Sequence, residues 1–342
     1  MKLKKTFVIS CVALGCGSDP GGAPSEGELA EVHQEIRNGW LDSTNTYPNV
    51  VSVEFYDQET FEFLNWCSGT LVAPSRVLTA ASCFAGLTGS VVAVVLFDGD
   101  YREGISLRIH PLYSGATTHH VSQGWLSDIP VSDGPDVATL DLDEPIPMTP
   151  RPIATTPPPV GWIMKVVGYG EIATGVVPDE RRVGIEIINF FLPLVKGSSF
   201  FSTPNGTMVL TSHSLGNIAC QGDFGGPAIN PAGEIVAVQS MLGSEDDNNR
   251  CNTGMVNSLS TTHDLRAWIL LPPGTPVPYH NQAQPADVNN DGIVTSLDAL
   301  IIINAINAGT GLTTGSFYRD AVADNVLTEA DARYVIDYLE NH

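Results

Sequence analysis

Much of the chain alternates short apolar runs with turn-forming residues, a pattern typical of β-strands. Residues 184–191, 208–213 and 234–242 are apolar or alternate in polarity over the length of a strand, and turn residues bound each run. Apolar patterns that suit helices follow near the C-terminus, at residues 299–306 and 334–339. The pattern therefore predicts a mainly β fold followed by a small α-helical module.

The composition agrees with a loop-rich β protein. The chain has 342 residues, with 33 Gly, 24 Pro and only 16% charged residues, so it suits one large β domain and a small module. The formal net charge is −22. Such an acidic chain argues against nucleic acid and anionic membrane surfaces as partners.

The N-terminus has the pattern of an export signal. A basic start precedes a short apolar run, and ALGC at residues 13–16 resembles a bacterial lipobox, in which Cys16 would carry the lipid anchor. Ordinary signal cleavage is the alternative. We interpret residues 1–15 as the signal peptide and residues 16–35 as a tether or pro-segment. The expected location is outside a bacterial cell, as a cell-surface lipoprotein or a secreted protein.

Four cysteines remain beyond the signal, Cys67, Cys83, Cys220 and Cys251. Export permits disulfides and an even number suggests two, although spacing alone leaves three connectivities open. Free buried thiols are the alternative.

The most informative motif is CQGDFGGP at residues 220–227. It resembles the nucleophile loop of the trypsin/chymotrypsin family of serine proteases, which reads C-x-G-D-S-G-G-P. Seven of the eight positions match, but Phe224 stands where the family has its nucleophilic serine. A phenyl ring has no atom that can attack a carbonyl.

Further motifs extend the resemblance over residues 36–271. TAASC at residues 79–83 matches T-A-A-H-C with Ser82 in place of the general base, and a serine cannot accept a proton near neutral pH. Asp136, in DVATLDL, matches the aspartate that orients the missing histidine; Asp133 is a weaker candidate. Residues 262–270 resemble the closing helix of the family.

The resemblance implies a specific architecture. We expect a chymotrypsin-like pair of six-stranded antiparallel β-barrels, with Ser82, Asp136 and Phe224 at their junction. It also implies the remaining parts of the site. These are the disulfides Cys67–Cys83 and Cys220–Cys251, the oxyanion-hole amides of Gly222 and Phe224, and the pocket residues Ile218 and Ser240.

Both residues that move the proton in catalysis are therefore replaced. We expect a non-catalytic homologue, a pseudoenzyme whose barrel domain binds a protein or peptide. One alternative is an active serine-type endopeptidase with a non-standard catalytic set, in which His119 or His120 would reach the cleft. Another alternative is a surface scaffold protein.

A proline-rich linker, residues 272–285, precedes the C-terminal module, residues 286–342. DVNNDGIVTSLD at residues 287–298 has the pattern of an EF-hand loop with Asp in the twelfth position. A second copy starts 33 residues later, with Val322 replacing one oxygen ligand and Asn325 replacing the glycine. The expected ligands are Asp287, Asn289, Asp291, Ile293, Thr295 and Asp298 in the first loop, and Asp320, Asp324, Val326, Thr328 and Asp331 in the second.

Two such loop–helix repeats resemble a type I dockerin module. The resemblance implies one or two calcium ions as the cofactor and a cohesin-like protein as the partner of the tail.

Overall fold

A computed structural model describes most of the chain after residue 38. The described residues are 39–111, 113, 115–123, 126–133, 135–171, 180–192, 208–212, 219–244, 254–263, 265–275, 278–312 and 317–342.

Six antiparallel strands form a closed barrel in the first half of the chain. They are β2 (Val50–Asp57), β3 (Phe63–Ala73), β4 (Arg76–Thr79), β5 (Val91–Phe97), β6 (Asp100–Ile109) and β9 (Ala138–Leu142). Their order around the barrel is β2-β3-β4-β9-β6-β5.

The alternation of β5 shows why these residues form a barrel wall. Ala93, Val95 and Phe97 are buried in the interior, while the residues between them are only half-buried. The inward side chains share one core cluster with Phe55 of β2 and Leu71 of β3. Burial of one strand face in a common core fixes the register.

The second half of the chain forms another ring of six strands. They are β10 (Ile163–Gly168), β11 (Arg182–Leu192), β12 (Met208–Ser212), β13 (Pro227–Ile229), β14 (Ile235–Ser244) and β15 (Gly254–Thr261). The pairings β10–β11, β11–β12, β12–β15, β15–β14, β14–β13 and β13–β10 close this ring. The predicted pair of six-stranded antiparallel barrels is therefore confirmed.

Within the described ranges, three further strands lie outside the two rings. The short strand β1 (Trp40–Leu41) pairs with β11, so the first described residues join the second barrel. A hairpin of β7 (Gly115–Gln123) and β8 (Leu126–Asp133) is inserted between β6 and β9. The sequence pattern did not predict this hairpin.

The helices are few and mostly C-terminal. Helix α1 (Arg266–Leu270) closes the barrel region and is shorter than the predicted residues 262–270. Helices α2 (Ser296–Asn307) and α3 (Glu329–Asn341) belong to the C-terminal module and pack around Ile302 and Val335. No helix within the described ranges is long and apolar enough to cross a membrane.

Candidate functional site

The loop at residues 220–227 requires its glycines. Gly222 and Gly225 have φ of +91° and +83°, a backbone region that other residues rarely adopt. A Cβ atom on Gly222 would lie 2.1 Å from Nε1 of Trp66, and one on Gly225 would lie 2.1 Å from Oγ1 of Thr79. Backbone conformation and tight packing thus fix the loop against the first barrel.

Asp223 anchors the same loop to the second barrel. Its buried carboxylate accepts hydrogen bonds of 2.8 Å from the backbone N–H groups of Cys220 and Gly170. A Cβ atom on Gly170 would lie 2.1 Å from this carboxylate, so glycine is needed there as well. Burial raises the pKa of Asp223 to about 7, despite the lowering effect of the two hydrogen bonds.

Asp136 and Ser82 are in direct contact. Ser82 lies in a short 3-10 helix (Ala81–Phe84), from which its N–H donates to Oδ1 of Asp136 at 2.7 Å and its hydroxyl donates to Oδ2 at 2.8 Å. The Ser240 hydroxyl donates to the same Oδ2 at 2.6 Å. Burial raises the pKa of Asp136, against the lowering effect of these hydrogen bonds.

Phe224 lies beside this cluster and has no catalytic atom. Its half-buried ring packs against the core of the first barrel. Its carbonyl oxygen accepts the Ser68 N–H at 2.8 Å and lies 3.8 Å from Sγ of Cys83, the chain neighbour of Ser82. The structure therefore brings the loop of Phe224 next to the segment of Ser82.

Two backbone amides of the loop remain available. In the described part of the chain, neither the Gly222 N–H nor the Phe224 N–H donates a hydrogen bond. The loop's other N–H groups at Asp223, Gly225 and Gly226 donate to Cys220, Gln239 and Asp223 carbonyls at 2.8–3.0 Å. Two free donors in a rigid loop are suited to an oxygen acceptor of a ligand.

One disulfide is defined completely. Cys67 and Cys83 are joined at 2.06 Å and link β3 to the 3-10 helix that carries Ser82. Cys220 is also disulfide-bonded, and its predicted partner Cys251 lies outside the described residues. Ile218 and Cys16 lie outside them too. The backbones of His119 and His120 belong to β7, but their side chains are beyond the described part.

The two C-terminal loops have equivalent hydrogen bonds. Asp287 accepts the backbone N–H groups of the fifth and sixth loop residues at 3.1 and 2.9 Å, and Asp320 accepts its own equivalents at 2.9 and 2.8 Å. The sixth position has φ of +87° at Gly292 and +62° at Asn325. Asparagine tolerates this left-handed conformation, which explains why the loop survives without its glycine.

The end of each loop is also the start of a helix. Thr295 caps α2 and Thr328 caps α3, each in a reciprocal capping box with the Asp of the twelfth position. Asp298 and Asp331 are fully buried, and each also accepts a backbone N–H from the start of its own loop.

The donor chemistry of the loops fits calcium. The side chains and carbonyls at the expected ligand positions offer only oxygen, which hard cations prefer. Burial and the charge of Asp320 raise the pKa of Asp324 to about 7, so these carboxylates are close enough to repel one another. The described residues contain no group of three or more His, Cys, Asp or Glu side chains arranged to hold a metal ion. The fit therefore rests on the oxygen donors and their order.

Sequence reasoning did not identify the contacts that Ser240 and Trp66 make in the site. The hydroxyl of Ser240 donates to Asp136, which is 104 residues away along the chain. Trp66 packs on Gly222 and donates from Nε1 to the Tyr169 carbonyl at 2.9 Å.

Two six-stranded barrels with this glycine loop and a buried aspartate at their junction define the class of chymotrypsin-like folds. The Trypsin family model matches residues 36–269, and the chain belongs to this family. The Dockerin type I domain model matches residues 285–340, so the chain carries a C-terminal type I dockerin domain.

Similar proteins include proteases of this family. Trypsin delta of Drosophila melanogaster is 25% identical over 246 residues, covering 68% of this chain and 88% of the relative. Chymotrypsin-like elastase family member 3B of Homo sapiens is 24% identical over 234 residues, covering 66% and 81%. Among solved structures, HL collagenase is similar at 16% identity and a TM-score of 0.47, covering 68% of this chain and 96% of that one.

Proposed function

We propose that the trypsin-like domain is non-catalytic and serves as a binding module for a protein or peptide. One observation carries the proposal: the hydroxyl of Ser82 donates to Asp136, and Phe224 offers a phenyl ring, at the two positions that move the proton in this family. Loss of the base or nucleophile from such a triad lowers turnover by about six orders of magnitude.

The intact loop supports a binding role for the same region. The glycine geometry, the Asp223 anchor and the two free amides at Gly222 and Phe224 all persist without a nucleophile. A loop fixed in this way loses little conformational entropy on binding. We therefore assign Ser82, Asp136 and Phe224 as the positions equivalent to the triad, and Ile218 and Ser240 as the equivalents of the pocket.

We also propose that the dockerin domain binds a cohesin-type receptor in a calcium-dependent manner. The ions would be held by the oxygen donors of residues 287–298 and 320–331, and bound calcium would cross-link each loop to the start of its helix. Without calcium, the charges of buried carboxylates such as Asp324 and Asp320 would repel one another.

The outer face of α2 supports a docking role for the first repeat. Leu297, Leu300 and Ile303 are spaced along one side of this helix and are 51%, 48% and 37% exposed. Apart from the buried Asp298, α2 carries no charged residue, in a chain of net charge −22. An uncharged apolar stripe of this kind suits an apolar receptor surface.

The remaining parts of the proposal concern location. Residues 1–15 act as the export signal, and Cys16 provides the lipid anchor on the cell surface; ordinary cleavage and secretion is the alternative. The disulfide between Cys67 and Cys83 supports an oxidising location.

A fluorophosphonate probe and a p-nitrophenyl ester test the catalytic part. We expect no labelling and no turnover by the purified full chain, while an active trypsin in parallel gives both. Labelling of the wild-type protein would instead favour an active peptidase with a non-standard catalytic set. Capture by a cohesin, with calcium and with chelator, tests the tail.

A further inference from the structure

The end of the proline-rich segment is bound to both dockerin loops. Tyr279, His280 and Asn281, which we name the clasp, fall within the predicted linker, yet they hydrogen-bond the first residue of each loop. The predicted linker therefore does not act as a spacer over its whole length.

Asn281 fixes the first loop. Its buried side chain is 6% exposed, and Nδ2 donates to the Asp287 carbonyl at 2.8 Å and to Oδ1 of Asn290 at 3.4 Å. Its Oδ1 accepts the backbone N–H groups of Ala283 and Gln284 at 3.2 and 3.1 Å. One amide side chain thus joins the incoming chain to the loop.

The other two clasp residues fix the second loop. The Tyr279 carbonyl accepts the Asp320 N–H at 3.0 Å, and Nδ1 of His280 lies 2.7 Å from the Asp320 carbonyl. Both backbone groups of Asp320 are therefore held by the clasp. The Tyr318 N–H also donates to the Val288 carbonyl at 2.8 Å, so the two loops are joined to each other.

We propose that the clasp positions the calcium ligands of both loops, so that calcium binding and closure of the clasp are coupled. The inference rests on the proposed calcium binding and deepens it. Groups that hold metal ligands in place contribute about 10–100-fold to affinity. By linkage, calcium must favour the closed clasp to the same extent that the clasp favours calcium.

The coupling would set the reach of the tether. With the clasp closed, the spacer between the trypsin-like domain and the dockerin ends before Tyr279. With the clasp open, residues 279–286 join the spacer and lengthen its maximum reach by about 26–29 Å. Calcium would thus shorten the distance over which the docked tail can present the barrel domain.

The test compares Asn281→Ala with Gln282→Ala in the full chain, because Gln282 is the exposed neighbour of Asn281. Hydrogen exchange with calcium and with chelator is followed at Ala283, Gln284 and Asp287, whose amides are bonded at this segment. Calcium titration gives the affinity, and thermal unfolding in chelator gives the intrinsic stability of the module.

We expect calcium to slow exchange of these amides in the wild type and in Gln282→Ala. In Asn281→Ala, calcium affinity should fall about 10–100-fold while the dockerin melting temperature in chelator stays unchanged. An unchanged calcium affinity in Asn281→Ala would overturn the proposal. A lower melting temperature of this variant in chelator would also overturn it, because it would indicate a purely structural role for Asn281. If the wild type binds calcium but exchange of these amides is not slower, the clasp proposal is wrong while the proposed calcium binding stands. A wild type that binds no calcium overturns both.

Discussion

Ser82 binds Asp136 twice: its amide N–H donates to Oδ1 at 2.7 Å, and its hydroxyl donates to Oδ2 at 2.8 Å. The aspartate that orients a histidine in the family here orients a serine. A hydroxyl in this position satisfies the buried carboxylate but cannot accept a proton near neutral pH. The contact therefore keeps the buried carboxylate hydrogen-bonded although residue 82 has no imidazole.

This contact predicts a stability effect. Asp136→Ala removes the acceptor of two hydroxyls and one amide in a buried region, so we expect the free energy of unfolding to fall by about 2–4 kcal/mol. Ser82→Ala removes only one partner and should cost about 1 kcal/mol. Denaturant unfolding measures both, with the exposed Glu62→Ala as the control. Equal stability of Asp136→Ala and the wild type would contradict the role assigned to this carboxylate.

If the proposed loss of catalysis is correct, we expect its restoration to require a change at both position 82 and position 224. Phe224→Ser alone supplies a hydroxyl without a base, and Ser82→His alone supplies an imidazole with nothing to activate. Only the double variant should hydrolyse a p-nitrophenyl ester, and the two changes should be strongly non-additive because the triad acts as a unit. Turnover by either single variant at the level of the double variant would show that another group supplies the missing function.

The buried Asp223 predicts a dependence of stability on pH. Its pKa is about 7 in the folded protein and 3.8 as the ordinary value, so the folded state binds the proton more tightly. The contribution of Asp223 to the free energy of unfolding is therefore greatest below about pH 4. It falls as the pH rises and is lost above about pH 7. In the wild type, this group should lower the free energy of unfolding by up to about 1.4 kcal/mol per pH unit in that range, and Asp223→Asn should remove this dependence. Parallel stability–pH curves for wild type and variant, measured in saturating calcium, would refute this.

The sequence predicted much of the fold because local pattern and tertiary structure agree. The runs at residues 208–213 and 234–242 predict β12 and β14, and turn residues mark the ends of both strands. The apolar run at residues 299–306 predicts α2, although the helix begins earlier, at Ser296, where Thr295 caps it. These signals are local, so they can be read without coordinates.

The contacts that escaped prediction join distant segments. Ser240 reaches Asp136 only because β14 of the second barrel meets the entry to β9 of the first, and no local pattern records this. Asn281 looked like part of a spacer because prolines dominate its surroundings, although its amide binds the Asp287 carbonyl. The hairpin β7–β8 was missed because its residues mix polar and apolar types without clear alternation.

Both dockerin loops should contribute to calcium-dependent stability. We expect Asp287→Ala combined with Asp291→Ala to reduce strongly the rise in melting temperature on calcium addition. Asp320 makes the same two backbone bonds as Asp287 and is fully buried, so Asp320→Ala should also reduce the rise strongly, despite Val322 in its loop. Calorimetry of the full chain with calcium and with chelator measures the effect. A full response in Asp320→Ala would mean that the first loop binds calcium alone.

The last prediction concerns the face of α2 that we propose as the docking surface. Leu300 is 48% exposed on α2, whereas Ile336 is 39% exposed on α3, where Arg333 and Asp337 form an ion pair at 3.7 Å. An aspartate at an apolar contact must be desolvated without a partner, so Leu300→Asp should weaken cohesin capture at least tenfold. Ile336→Asp is the matched control because it adds the same charge to a face that is already charged, and it should retain capture.

Both variants should keep the calcium-dependent rise in melting temperature, which separates loss of docking from loss of folding. Equal weakening by the two variants would show that both helices contact the receptor, and capture unaffected by Leu300→Asp would exclude the α2 stripe as the docking face.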